Sequence, residues 1–137
     1  MAHGAHIMLD CTGAVGIDGP WMLSLMENAV DASGARRVHS HVEHFDGSVS
    51  PLGFAAVVLL DESHVSAHCY SESGWLAIDA FTCGGTDPAR IIEMIEKELQ
   101  DNYPNMNINR RKRVERFLTE PFNGAGRGFV DRHFNHF

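Results

Sequence analysis

No apolar run in this 137-residue chain reaches the roughly 20 residues that a helix needs to cross a bilayer, which excludes a helical membrane span. The opening Met1-Ala2-His3-Gly4-Ala5-His6 has neither the basic head nor the apolar stretch of a secretory signal, so a cytoplasmic protein is expected. Cysteine is scarce. Cys11, Cys69 and Cys83 are odd in number and widely spaced, which argues against a disulfide framework and leaves free thiols. An excess of positive charge is also lacking: 18 acidic residues face 11 basic ones, for a net charge of −7, and the surface as a whole does not suit nucleic acid. Arg110-Arg111-Lys112-Arg113 is the local exception and reads as a solvated face or strand edge. The 44% hydrophobic and 21% charged residues are ordinary globular usage, and the length suits one core rather than two.

Two periods organise the residues that are present. Residues 5–10 (AHIMLD) form a short strand that enters a glycine-containing loop. Pro20 suits the first position of a helix, and Trp21, Met22, Leu25, Met26, Ala29 and Val30 recur at helical spacing before Gly34 ends it. Residues 36–45 alternate as a strand with His39 and His41 on one face and His44 on the other. Residues 54–60 (FAAVVLL) are continuously apolar, the pattern of a central strand buried on both faces. Two further strands, 65–70 and 75–81, are joined by a turn at 71–74. Asp87 then caps a second helix whose apolar face is Ile91, Ile92, Met94, Ile95 and Leu99. A last strand falls in 106–114. The expected domain spans residues 1–118, followed by a glycine- and aromatic-containing tail over 119–137 that Phe129, Phe134 and Phe137 would dock. The order β-α-β-β-β-β-α-β predicts an α+β two-layer sandwich, a mainly antiparallel sheet with two helices packed on one face.

Chemistry concentrates in Glu62-Ser63-His64-Val65-Ser66-Ala67-His68-Cys69-Tyr70-Ser71-Glu72 and, after it, Asp79-Ala80-Phe81-Thr82-Cys83-Gly84. Read as residues alone, a serine among histidines with a cysteine near it fits either nucleophilic chemistry or an ordinary polar strand edge. His39, His41 and His44 offer a third reading, a metal-binding module without covalent chemistry. Strand parity divides the three, and no fourth ligand is evident, so no metal is expected.

Together these segments resemble the prokaryotic S-adenosylmethionine decarboxylase family, whose pattern is Glu-Ser-His, then His-Thr-Trp-Pro-Glu, then Asp-x-Phe-Thr-Cys-Gly. The resemblance extends from about residue 4 to about residue 100. It implies a self-cleaving proenzyme in which Ser63 attacks the carbonyl of Glu62 and becomes a covalent pyruvoyl group. That group serves as an electron sink for decarboxylating S-adenosylmethionine on the way to spermidine. It implies His68 as an acid or base in cleavage, Cys83 as the proton donor after CO2 loss, and Glu72 on the ribose hydroxyls. Phe45 is the candidate to stack on the adenine, with Tyr70 on the substrate-side wall. A homodimer with its sites at the subunit interface is implied too.

Three positions depart from the family pattern. Gly53-Phe54-Ala55-Ala56 stands for Gly-Val-Ser-Gly, so Ala55 lacks the hydroxyl that aids processing, and Ser66, Ser50 or a water would have to replace it. Cys69-Tyr70-Ser71 stands for Thr-Trp-Pro, and residues 46–50 lengthen the loop after Phe45. Two alternatives therefore remain: pyruvoyl chemistry on another amino acid such as arginine or ornithine, or an unprocessed, catalytically silent paralogue acting as a binding or regulatory protein.

Overall fold

The computed structural model describes residues 3–122, and the expected docking of Phe129, Phe134 and Phe137 lies outside them. Six strands and two helices follow in the expected order: β1 (Gly4–Thr12), α1 (Gly19–Ser33), β2 (Arg37–Phe45), β3 (Gly53–Leu60), β4 (Ser63–Tyr70), β5 (Trp75–Cys83), α2 (Pro88–Asn102) and β6 (Asn107–Arg116).

Both helices begin on the same local device. The Asp18 carboxylate accepts a hydrogen bond from the Trp21 N–H at 3.1 Å, and Asp87 accepts from the Ala89 N–H at 3.0 Å. In each case a proline in the first turn gives up an N–H that has no helical partner there. α1 stops at Gly34, which takes φ 86 and returns its N–H to the Asp31 carbonyl, a conformation that glycine adopts without strain.

The strands form one sheet in the order β2-β3-β4-β5-β1-β6, antiparallel throughout. One face carries Ile7, Leu9, Phe54, Ala56, Val58, Leu60, Val65, Ala67, Leu76, Ile78 and Ala80, all buried under the two helices. α1 contributes Met22, Met26 and Val30 and α2 contributes Ile91, Ile92, Ile95 and Leu99 to the same core. Removing a branched side chain of this kind from water contributes about 1.5–3 kcal/mol.

The other face has no layer over it among the described residues. This corrects the reading of 54–60 as a strand buried on both sides. Phe54, Ala56, Val58 and Leu60 are buried, whereas Ala55 and Val57 are half-buried and Leu59 is 41% exposed. The physical reason is the layer count: both helices lie on one side, so the residues between the buried ones face outward.

Candidate active site

β3 and β4 form the tightest hairpin of the sheet. Leu60 pairs directly with Ser63, so Asp61 and Glu62 are the entire turn. Asp61 takes φ 31, the left-handed region where a side chain other than glycine is strained by about 1 kcal/mol or more. Its carboxylate is bonded by the guanidinium of Arg36. Immediately beyond the turn, Ser63 is only 8% exposed, and its Oγ accepts a hydrogen bond from the Cys83 N–H at 3.1 Å. Cys83 ends β5, half-buried. The Thr82 hydroxyl donates to the Thr86 carbonyl at 2.6 Å and so closes the intervening Gly84-Gly85 loop. Ser63, Cys83, Glu62, Asp61 and Arg36 line one cleft of about 290 Å3.

His68 is not in that cleft. Five residues at about 3.3 Å each put it roughly 17 Å along β4 from Ser63, and the odd offset turns it to the opposite face of the sheet. Its cross-strand neighbours are Ala55 and Ala77. A methyl group therefore occupies the position where the family pattern has a hydroxyl. Of the hydroxyls considered in its place, Ser66 shares the face of His68 two residues away, and Ser50 is in the β2–β3 loop. Phe45 and Tyr70 lie at the same end as His68, flanking Gly53 in the register of the sheet. Phe45, Ser50, Leu52 and Ser71 border a second cleft, of about 660 Å3. Glu72 is exposed in the turn that follows β4. The candidate residues thus fall into two groups within one chain: Glu62, Ser63 and Cys83 at one end, and Phe45, His68, Tyr70 and Glu72 at the other.

A further cluster on the open face escaped the sequence reading. His64 packs on Phe81 with ring centroids 5.8 Å apart, and Phe117 meets Phe81 from another side at 5.9 Å. His6 shares a 3.0 Å hydrogen bond with Asp79, and the Arg116 guanidinium lies 4.7 Å from the centre of the Phe81 ring. The His64–Phe81–His6 row is one cross-strand rung of β4, β5 and β1, which becomes visible only when the register is known. Burial holds the pKa of His64 below the ordinary imidazole value; His6 and Arg116 lower it further, while Asp79 opposes them. The unfolded chain then binds the His64 proton more readily than the folded one, so this residue's contribution to stability is present above about pH 6.5 and is lost as pH falls through the depressed folded value. The unfolding midpoint is expected to drop on acidification through this window, and to drop less in His64→Gln; an equal drop in that variant would assign the effect to other groups.

His39 and His41 share the open face, while His44 lies on the helix side, where a Cβ added to Gly19 would come within 2.7 Å of its Nε2. Among the described residues, no group of three or more His, Cys, Asp or Glu side chains is placed to hold a metal ion.

A family model described as S-adenosylmethionine decarboxylase matches residues 5–114. The chain belongs to this family. The S-adenosylmethionine decarboxylase proenzyme of Methanococcus maripaludis is 38% identical over 101 residues, covering 71% of this chain and 80% of that protein. The proenzyme of Persephonella marina is 40% identical over 77 residues, covering 56% of this chain and 55% of that protein's length. The crystal structure of the adenosylmethionine decarboxylase from Aquifex aeolicus superposes with a TM-score of 0.69 at 28% identity, covering 90% of this chain and 98% of that one. Family membership accounts for the order of the elements and for the joint presence of Glu62-Ser63-His64 and Phe81-Thr82-Cys83-Gly84 in one fold.

Proposed function

We propose that this chain is a self-processing, pyruvoyl-dependent decarboxylase of S-adenosylmethionine, a carboxy-lyase that supplies the aminopropyl donor for spermidine. The observation that carries the reading is the Ser63 hydroxyl, buried at the end of a two-residue turn and held 3.1 Å from the Cys83 N–H in the cleft that also contains Glu62. Ser63 Oγ attacks the carbonyl carbon of Glu62, the C–N bond breaks, and the freed nitrogen takes the hydroxyl proton, so an ester replaces the amide. Loss of the Ser63 α-proton then breaks the Cβ–Oγ bond and releases Glu62 as a carboxylate. Water adds at residue 63, ammonia leaves, and a ketone remains at the new N-terminus. The site suits this chemistry because the bond lies between a turn residue and the first residue of β4, so its rupture opens the hairpin without cutting through the ladder.

A pyruvoyl group formed at residue 63 would supply the electron sink for the loss of CO2. The Cys83 thiol, beside residue 63, supplies the proton to the substrate's α-carbon. Phe45 and Tyr70 offer ring faces to the adenine, and Glu72 accepts hydrogen bonds from the ribose hydroxyls.

Ser63 and His68, roughly 17 Å apart along β4 and on opposite faces of the sheet, cannot meet at one reacting bond within one chain, and this supports a homodimer. If two copies pack their open sheet faces about a twofold axis that crosses the strands, His68, Phe45 and Glu72 of each are carried to the end of the sheet at which the other's Cys83 and its Glu62–Ser63 peptide bond lie. The half-exposed row of Ala55, Val57 and Leu59 on β3 would be covered in the same step, giving an α-β-β-α stack. The charge balance and the absence of a membrane-spanning helix among the described residues are compatible with a cytoplasmic enzyme working on a small molecule.

The test is to incubate the purified protein with carboxyl-labelled S-adenosylmethionine and cyanoborohydride. Labelled CO2 and a substrate adduct on the fragment beginning at residue 63 are expected. Release from arginine or ornithine alone would move the same chemistry to another substrate, and release from none would leave the silent-paralogue reading.

A further inference from the structure

We propose that the Arg36–Asp61 ion pair is a positioning device for self-cleavage, holding the turn that presents the Glu62 carbonyl to the Ser63 hydroxyl. The proposal rests on Glu62–Ser63 being the bond that is cut, and it assigns work to two residues that the decarboxylation itself does not use.

Asp61 and Glu62 are the whole connection between Leu60 and Ser63, so any rotation at Asp61 reorients the Glu62 peptide. Asp61 adopts φ 31 at a turn position that hairpins of this length usually give to glycine, asparagine or aspartate. A strained residue persists only where its surroundings hold it. On one side that hold is the β3–β4 ladder, and on the other it is the guanidinium of Arg36, which arrives between Gly34 at the end of α1 and the start of β2. Attack on a carbonyl needs the reacting atoms about 3–3.5 Å apart and aligned. The Cys83 N–H already fixes Ser63 Oγ, so the remaining freedom lies in the Glu62 carbonyl, and Asp61 governs that. Both members of the pair border the Ser63 cleft, and both are largely in contact with solvent. A clamp of this kind tunes the rate of cleavage rather than permitting or forbidding it.

The test follows the uncleaved fraction of newly translated full-length chain over time. Arg36→Ala and Asp61→Asn are each expected to slow cleavage about three- to ten-fold, the range an exposed ion pair can supply. The double variant should be no slower than either single one, because both changes remove one interaction. Arg36→Lys should recover most of the rate, and the unfolding midpoint of Arg36→Ala should stay at the wild-type value. Wild-type cleavage in Arg36→Ala, additive slowing in the double variant, or slowing that tracks a lowered midpoint and resists Arg36→Lys would each overturn the proposal while leaving the cleavage site intact. A wild-type chain that stays whole would overturn the reading of Glu62–Ser63, and this proposal with it.

Discussion

Cys83→Ala is expected to lower decarboxylation by about 10²–10⁴-fold, the usual span for a lost general acid, while chain cleavage proceeds. The separation of the two effects follows from which atom of Cys83 does what. The contact to Ser63 Oγ comes from the backbone N–H, which alanine keeps, whereas the thiol beside it is lost. Cleavage is read from the intact mass and turnover from labelled CO2, both on the same preparation. Unchanged turnover would remove the thiol from the reaction. A blocked cleavage would instead tie the Cys83 side chain to processing.

The second large effect concerns two inactive variants that restore one another. His68→Ala and Cys83→Ala are each expected to be nearly inactive as homodimers. Mixed in equal amounts before assembly, they should recover about a quarter of wild-type activity per chain, because half of the dimers are hybrids and each hybrid has one intact site out of two. The expectation comes directly from the roughly 17 Å and the change of face between residues 63 and 68 on β4. If both groups of residues served a site within one chain, no mixture would recover anything. Native mass spectrometry of the same samples, resolving hybrid dimers from the two homodimers, makes a negative result decisive.

Much of this architecture is legible in the residues themselves. Pro20 and Asp87-Pro88 announce both helix starts, and the Asp87 cap forms as that residue type suggests, whereas the Asp18 cap of α1 is seen only in the structure. The strands fall where alternation or apolar runs place them, with ends differing by a residue or two. What was not legible has physical causes. β4 begins at Ser63 rather than at Val65, so Ser63 and His68 belong to one strand and to opposite faces of it. With Ser63 left outside the strand, that parity could not be extended to it. An apolar run such as residues 54–60 reports affinity for a dry environment but not which layer supplies it; here only one side is covered among the described residues. The Arg36–Asp61 pair joins residues 25 apart, and the His64–Phe81–His6 rung needs two strand registers, neither of which is written in local pattern. The Ala55 departure has a visible structural context, a methyl group opposite His68, and it bears most directly on whether processing occurs.

That question is settled by one measurement, the intact mass under denaturing conditions of protein purified without carbonyl-trapping reagents. Two chains are expected, residues 1–62 and residues 63–137, the second lighter than its sequence because the serine nitrogen has been lost. That result would establish that Ala55 is tolerated and that a ketone stands at position 63. A single uncleaved chain would contradict the account at its centre, leaving Ser63 a serine in a fold that has kept the family's residues without their chemistry.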